Sequence, residues 1–308
     1  MEFLYLLESI RNPVLDGFFS LITHLGSEIV FMALAVVLYW CVSKRQGLYL
    51  LAVGCLGTTI NQFLKITFRI PRPWVRDPDF TIVEAARADA AGYSFPSGHT
   101  QSAFGVFGCL AQDSKRRWIA GACWLLAVLV GFSRMYLGVH TPMDVGVSVL
   151  AALVLVFAMH PLFRGLDEQP MRGFWILLGL MGINVLFLLY ATCWPFPADA
   201  DAEQLAHGVS NAAKLTGALG GMALGYLLDL KKVRFSPAAP LPGQILKCVL
   251  GLALVLAIKE GLKPVLSGLV SSTWSGVIRY GLLTFFAAGI WPMTFPKFAK
   301  LAGKKAQK

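Results

Sequence analysis

The sequence predicts an all-α fold: a polytopic membrane bundle of about nine spanning helices. Three observations predict it. Hydrophobic residues fill 56% of the 308 positions and charged residues only 14%, against about 25% charged in soluble domains. Apolar runs of roughly 17 to 22 residues recur, long enough to cross a hydrocarbon core of about 30 Å. A β-barrel would instead show alternating strands of about 10 residues.

The elements follow in order. Residues 1–26 open with MEFLYLLESIRNP, which has no basic n-region and carries Glu2 and Glu8, so no cleavable signal peptide is expected. Their amphipathic spacing predicts a helix lying at the interface. Apolar runs then predict spans at 27–43, 47–68, 97–112, 117–134, 142–162, 173–192, 209–229, 245–266 and 274–292. The first is short; residues 14–26 either complete it or form a re-entrant piece.

Alternate loops lie on opposite faces. One face collects Lys44, Arg45, Lys115, Arg116, Arg117, Arg164, Arg172, Lys231, Lys232 and Arg234, then the tail lysines 297, 300, 304, 305 and 308. The positive-inside rule makes this face cytoplasmic, with the amino terminus outside and the carboxyl terminus inside. The net charge of +10 is therefore a topology signal, with anionic lipid headgroups as counter-charge and no nucleic acid as partner. The other face holds Asp77, Asp79, Glu84, Asp89, Asp199, Asp201 and Glu203. The expected location is a bacterial plasma (inner) membrane. The six cysteines lie scattered in apolar segments without metal spacing and read as free, packed thiols.

Three polar stretches break this pattern on the outer face. They are KITFRIPRP (Lys65 to Pro73), PSGH (Pro96 to His99) and SRMYLGVHTPMD (Ser133 to Asp144). Their residue types suit an anion. Lys65, Arg72 and Arg134 bring positive charge, the arginines as forks matched to phosphate oxygens. Ser97 and Gly98 stand at a helix start, where unpaired N–H groups and the dipole attract anions. His99 and His140 can each attack or move a proton near neutral pH. Asp144, four residues after His140, can hold that imidazole in one tautomer.

Each residue alone has a plainer reading. Lys65 is an interfacial anchor, Ser97 an N-cap, and Thr141–Asp144 a capping box with Pro142 in the first helical position. The conjunction is harder to explain that way. Six residues separate Lys65 from Arg72-Pro73, five separate Ser133-Arg134 from His140, and three separate His140 from Asp144.

This three-part pattern closely resembles the type-2 phosphatidic acid phosphatase superfamily, over about residues 14 to 162. The resemblance implies a six-helix-type phosphatase core toward the amino-terminal half (27–192). An extension (193–308) with about three further spans and a basic tail follows. It also implies metal-independent hydrolysis of a membrane lipid phosphate or diphosphate, with no cofactor. In such enzymes the residue matching His140 forms a phosphohistidine, oriented by the one matching Asp144. The residue matching His99 protonates the leaving group. Lys65, Arg72, Ser97, Gly98 and Arg134 would cradle the phosphoryl oxygens, and His24, His160 and His207 take no part. The outer-face site suits an amphiphile, and the long segment Trp74 to Phe95 reads as a lid, with Arg69, Trp74 and Arg76 near the headgroup. Two alternatives stay open: transfer of the phosphoryl group to a lipid or sugar hydroxyl, and a lipid transporter or flippase that keeps the site for binding. Lys214, Lys259, Glu260 and Arg279 in the later spans keep the latter open. Those charges, with Lys263, are either interfacial anchors or a second basic pocket.

Overall fold

The computed structural model describes residues 1–90, 92–198 and 200–302, so Asp199 and the tail lysines 304, 305 and 308 lie outside the described residues. Among the described residues there is no strand. The helices are α1 (Glu2–Ser9), α2 (Pro13–Thr23), α3 (Glu28–Val37), α4 (Lys44–Phe68), α5 (Pro73–Arg76), α6 (Gly98–Asp113) and α7 (Arg117–Tyr136). They continue with α8 (Pro142–Arg164), α9 (Met171–Cys193), α10 (Ala202–Leu228), α11 (Leu241–Ser267), α12 (Ser272–Phe285) and α13 (Phe295–Ala299).

Each of the nine expected spans overlaps a helix, but not all nine are long and apolar enough to cross a membrane. Six are long and apolar enough to cross a membrane: α4 with its continuation through α5, then α7, α8, α9, α11, and α12 continued to Ala299. A seventh is reached if the stretches 13–26 and 28–42, bent by 49° at their junction, form one broken span. The protein is an integral membrane protein. α6 has only 16 residues, and its interior from Thr100 to Ala111 is almost wholly buried. A helix wrapped by protein does not need the length that lipid demands. α10 starts seven residues before the apolar run at 209, because Asp201 Oδ1 accepts the N–H groups of Glu203 (2.9 Å) and Gln204 (3.2 Å). That cap supports a polar first turn which hydropathy does not register.

The chain divides into two compact units. The first comprises Met1–Ala33, Tyr49–Pro161 and Pro195–Gly208; the second comprises Leu34–Leu48, Leu162–Trp194 and the described residues from Val209 onward.

In the first unit α6 packs along α7, and α1 and α2 lie against α7. Phe19 of α2 joins a core with Tyr136, Leu137, Val139, Ala86 and Ala90. Leu4 of α1 packs on Phe80 and Ile82. The opposite faces of α1 and α2 expose Phe3, Leu6, Ile10, Val14, Phe18 and Leu21, an apolar surface suited to lipid. The segment from Trp74 to Phe95 is held down along its length. Tyr5 donates to Asp77 (2.8 Å), Arg11 donates to the Thr81 carbonyl (2.8 Å), and Thr81 binds Glu8. The guanidinium groups of Arg72 and Arg87 stand 5.9 and 5.3 Å from the Trp74 ring centroid. The segment expected as a lid is thus tied to the N-terminal helices.

In the second unit the core is aromatic. Trp40, fully buried, donates to the Ala287 carbonyl (2.8 Å) and neighbours Trp291 and Phe295. Lys44 pairs with fully buried Asp229 at 2.5 Å and lies 3.8 Å from the Phe235 ring centroid. Lys247 is fully buried, donating to the carbonyls of Trp40 (2.8 Å) and Pro237 (2.9 Å). Two backbones meet where Gly217, Gly221 and Gly225 of α10 face Val277, Gly281 and the stretch 285–289. Small residues at four-residue spacing permit such close approach in membranes.

Candidate active site

All eight site residues predicted from the sequence belong to the first unit. Lys65 sits in the last turn of α4. Arg72 immediately precedes α5. Ser97 caps α6, which begins with Gly98 and His99. Arg134 is in the last turn of α7, and His140 lies in the connection to α8, whose first turn carries Asp144.

The local chemistry explains each placement. Ser97 Oγ accepts the Thr100 N–H (3.4 Å), so the N-cap reading is correct. Thr141 and Asp144 form the reciprocal pair of a capping box: Thr141 N–H donates to Asp144 Oδ2 (2.7 Å), and Asp144 N–H donates to Thr141 Oγ1 (3.3 Å). The plain reading and the functional one therefore coexist at Asp144. The Ser97 N–H also donates to the Asp144 carbonyl (3.2 Å), which ties the start of α6 to the start of α8.

These groups converge on His140. Arg72 Nη1 lies 2.9 Å from His140 Nε2 and 2.9 Å from the Val139 carbonyl. A guanidinium only donates, so Nε2 is the acceptor and a neutral imidazole carries its proton on Nδ1. That Nδ1 has no hydrogen-bond partner among the described residues, and Asp144 Oδ2 stands behind it at 3.6 Å. Burial pushes the His140 imidazole well below its ordinary pKa, and the nearby Arg72, Arg134, Lys65 and His99 push the same way. Both effects favour the neutral imidazole.

The basic groups are fixed from behind. Lys65 donates to the Tyr93 carbonyl and Arg72 Nε to the Gly92 carbonyl (2.8 Å). Arg134 is fully buried, and its Nη1 donates to Thr23 Oγ1 (2.8 Å). Its Nε and Nη2 are buried without a partner among the described residues, an expensive state for a cation unless a ligand fills it. At Gly98 a Cβ would meet only Asn61 Oδ1 at 3.7 Å, so no protein atom demands glycine there.

Four contributors escaped the sequence reading. Thr23 lies in an apolar run with no motif around it. Ser94 donates to Asp144 Oδ2 (2.6 Å) and stands one residue before FPSGH. The carbonyls of Gly92 and Tyr93 carry no side-chain signal. Two of the histidines set aside lie in other pairs, His24 beside Asp89 (3.7 Å) and His160 beside Asp113 (3.4 Å). Of the later charges, Lys259 pairs with Glu260 (3.3 Å) and Arg279 stands 5.3 Å from the Tyr280 ring centroid.

Residues 46–167 match the PAP2 superfamily, and residues 213–304 match the transmembrane extension of PAP2 superfamily phosphatases. Undecaprenyl-diphosphatase BcrC of Bacillus subtilis (strain 168) is 33% identical over 151 residues, covering 48% of this chain and 74% of that protein. The chain belongs to the PAP2 superfamily. Phosphatidylglycerophosphatase B of the same organism is 30% identical over 178 residues, 53% of this chain and 80% of that one. A third relative, named "Probable sphingosine-1-phosphate phosphatase" of Dictyostelium discoideum, is 28% identical over 245 residues. That match takes in 73% of this chain but only 55% of the Dictyostelium protein. All eight predicted site residues fall inside the stretch matched to the PAP2 superfamily.

Proposed function

We propose that this PAP2 member hydrolyses a membrane lipid phosphate or diphosphate through a phosphohistidine on His140, without a metal ion, at the extracytoplasmic face. The observation that carries the reading is the setting of His140. Its Nε2 is the lone-pair nitrogen, a carboxylate stands behind its Nδ1, and three cations surround it.

The reaction proceeds in two balanced steps. The phosphoryl group enters against the free Nε and Nη2 of Arg134 and the open side of Gly98, and displaces Arg72 Nη1 from Nε2. Nε2 attacks phosphorus; the N–P bond forms and the bond to the leaving oxygen breaks. His99, which takes up a proton as the phosphate anion enters among the cations, gives that proton to the leaving oxygen. Asp144 stabilises the positive charge that develops on the imidazole. Water then attacks phosphorus, loses its proton to His99, and breaks the N–P bond, which releases phosphate and restores both histidines. Charge stabilisation and in-line positioning dominate phosphoryl transfer, and Lys65, Arg72 and Arg134 supply the charge.

The substrate class rests on the relatives, whose names specify undecaprenyl diphosphate, phosphatidylglycerophosphate and sphingosine 1-phosphate. A site among helix ends at the membrane surface suits a headgroup whose chain stays in lipid.

The test is phosphate release by the purified protein in detergent from short-chain phosphatidic acid, phosphatidylglycerophosphate, undecaprenyl diphosphate and sphingosine 1-phosphate. Release is expected to persist in excess EDTA and to vanish in His140→Ala. Brief incubation with labelled substrate should leave acid-labile label on His140. Acid-stable label, label on Ser97, or loss with EDTA and recovery with magnesium would overturn the mechanism.

A further inference from the structure

The carboxylate of Asp144 has an asymmetric environment. Its Oδ2 accepts both the Ser94 hydroxyl (2.6 Å) and the Thr141 N–H (2.7 Å), and the same oxygen faces His140 Nδ1 at 3.6 Å. Thr141 is an ordinary helix-cap partner four residues or fewer along the chain. Ser94 is not: it reaches Asp144 across 50 residues of sequence. Both side chains are inaccessible to solvent.

Ser94 is itself fixed. Its N–H donates to the Ile70 carbonyl (2.8 Å). The two residues before it supply the carbonyls that hold Arg72 and Lys65. Ser97, three residues on, caps α6. The hydroxyl therefore sits on a segment already in register with the phosphate cradle and does not need to search for its acceptor.

We infer that Ser94 is a positioning residue for the reaction: its hydroxyl aims Asp144 Oδ2 at His140 Nδ1 and so holds the nucleophile's proton on the far nitrogen. The inference rests on the phosphatase reading given above. Without the hydroxyl, Oδ2 keeps only the Thr141 N–H, and the carboxylate is free to turn about its Cβ–Cγ bond. The imidazole then loses its oriented partner when it charges in the transition state. A short hydrogen bond to an ionised carboxylate is among the stronger ones, so its loss should lower turnover by about 10- to 100-fold. Substrate binding should hardly change, because the Ser94 hydroxyl is engaged with Asp144 and not with a cation that takes the phosphate.

The experiment compares wild type, S94A, S94T, D144N and S94A/D144N, purified in detergent. It measures phosphate release from short-chain phosphatidic acid, or from whichever of the four probe lipids wild type hydrolyses fastest, together with Tm. The expected result has three parts. S94A loses turnover by about 10- to 100-fold with KM within threefold, and its Tm falls by no more than about 5 °C for the lost buried bond. S94T regains most of the loss. S94A/D144N falls no further than D144N, because the hydroxyl acts only through the carboxylate. The inference is overturned if S94A turns over within twofold of wild type, or if its loss multiplies fully with that of D144N. A purely structural role would lower Tm further and shift KM and turnover together, and it too overturns the inference. If wild type releases phosphate from none of the four lipids, the proposed function itself fails and takes the inference with it. An active wild type with an indifferent S94A leaves the function standing and removes Ser94 alone.

Discussion

Replacing Gly221 by alanine asks how closely α10 and α12 approach. A Cβ on Gly221 would sit 2.7 Å from the carbonyl carbon of Gly281, with the carbonyl oxygen and Thr284 Oγ1 nearer still. Carbons in ordinary contact stand about 3.5–4.0 Å apart, so α12 must retreat by about 1 Å. The obstacle is backbone, which cannot swing aside as a side chain does. The retreat also strains the bond from Thr284 Oγ1 to the Ala218 carbonyl, now 2.8 Å. Overpacking of this kind costs about 1–3 kcal/mol. Alanine returns roughly 0.5–1 kcal/mol through its better helix propensity, which leaves a net loss of about 0–2.5 kcal/mol, in the upper half of that range because a backbone obstacle cannot yield. For a chain of this size that corresponds to a fall in Tm of about 2–6 °C. The assay is thermal unfolding in detergent followed by tryptophan fluorescence. The control is Gly179→Ala in α9, where a Cβ would find no protein atom within 4 Å; its Tm should hold or rise. If G221A melts at or above wild type while G179A behaves the same way, the close approach of these helices does not exist and the reasoning fails.

Two more predictions concern the site and its sidedness. Thr23→Val keeps the shape but removes the acceptor for Arg134 Nη1, leaving a buried charged donor unpaired; KM for short-chain phosphatidic acid should rise about 10-fold, while T23S stays near wild type. An unchanged KM in T23V would show that Thr23 does not hold Arg134. For sidedness, single cysteines replace exposed Ala88 and Lys115 in a cysteine-free background, and whole cells are treated with an impermeant thiol reagent. Labelling is expected at 88 and not at 115, and the reverse pattern would invert the topology.

Particular residues explain what the sequence disclosed. The six helices long and apolar enough to cross a membrane were legible because each is a long apolar run, and lipid selects composition one helix at a time. The site was legible because phosphate recognition needs basic and titratable groups, which are conspicuous in so apolar a chain. Other features depend on pairings that composition does not encode. Lys44 read as a cytoplasmic marker, yet it meets Asp229 from 185 residues away. Lys247 did not stand out, because its partners are two carbonyls. Thr23 looked like any threonine in an apolar run until α2 set it against Arg134. The early start of α10 was hidden because Asp201 acts through hydrogen bonds to the backbone, not through hydrophobicity.

The carbonyls of Gly92 and Tyr93 have a consequence for mutagenesis. They hold Arg72 and Lys65 with atoms that every amino acid possesses. Exchanging the Tyr93 side chain leaves its acceptor in place, so a scan that swaps side chains one by one will pass over half of this clamp in silence. Gly92 is different: it sits at φ 83°, where a side chain strains the backbone, and substitution there moves the carbonyl itself. An apparent hot spot at a residue with no side chain, next to a tolerant tyrosine, would be the fingerprint of a binding site braced by its main chain.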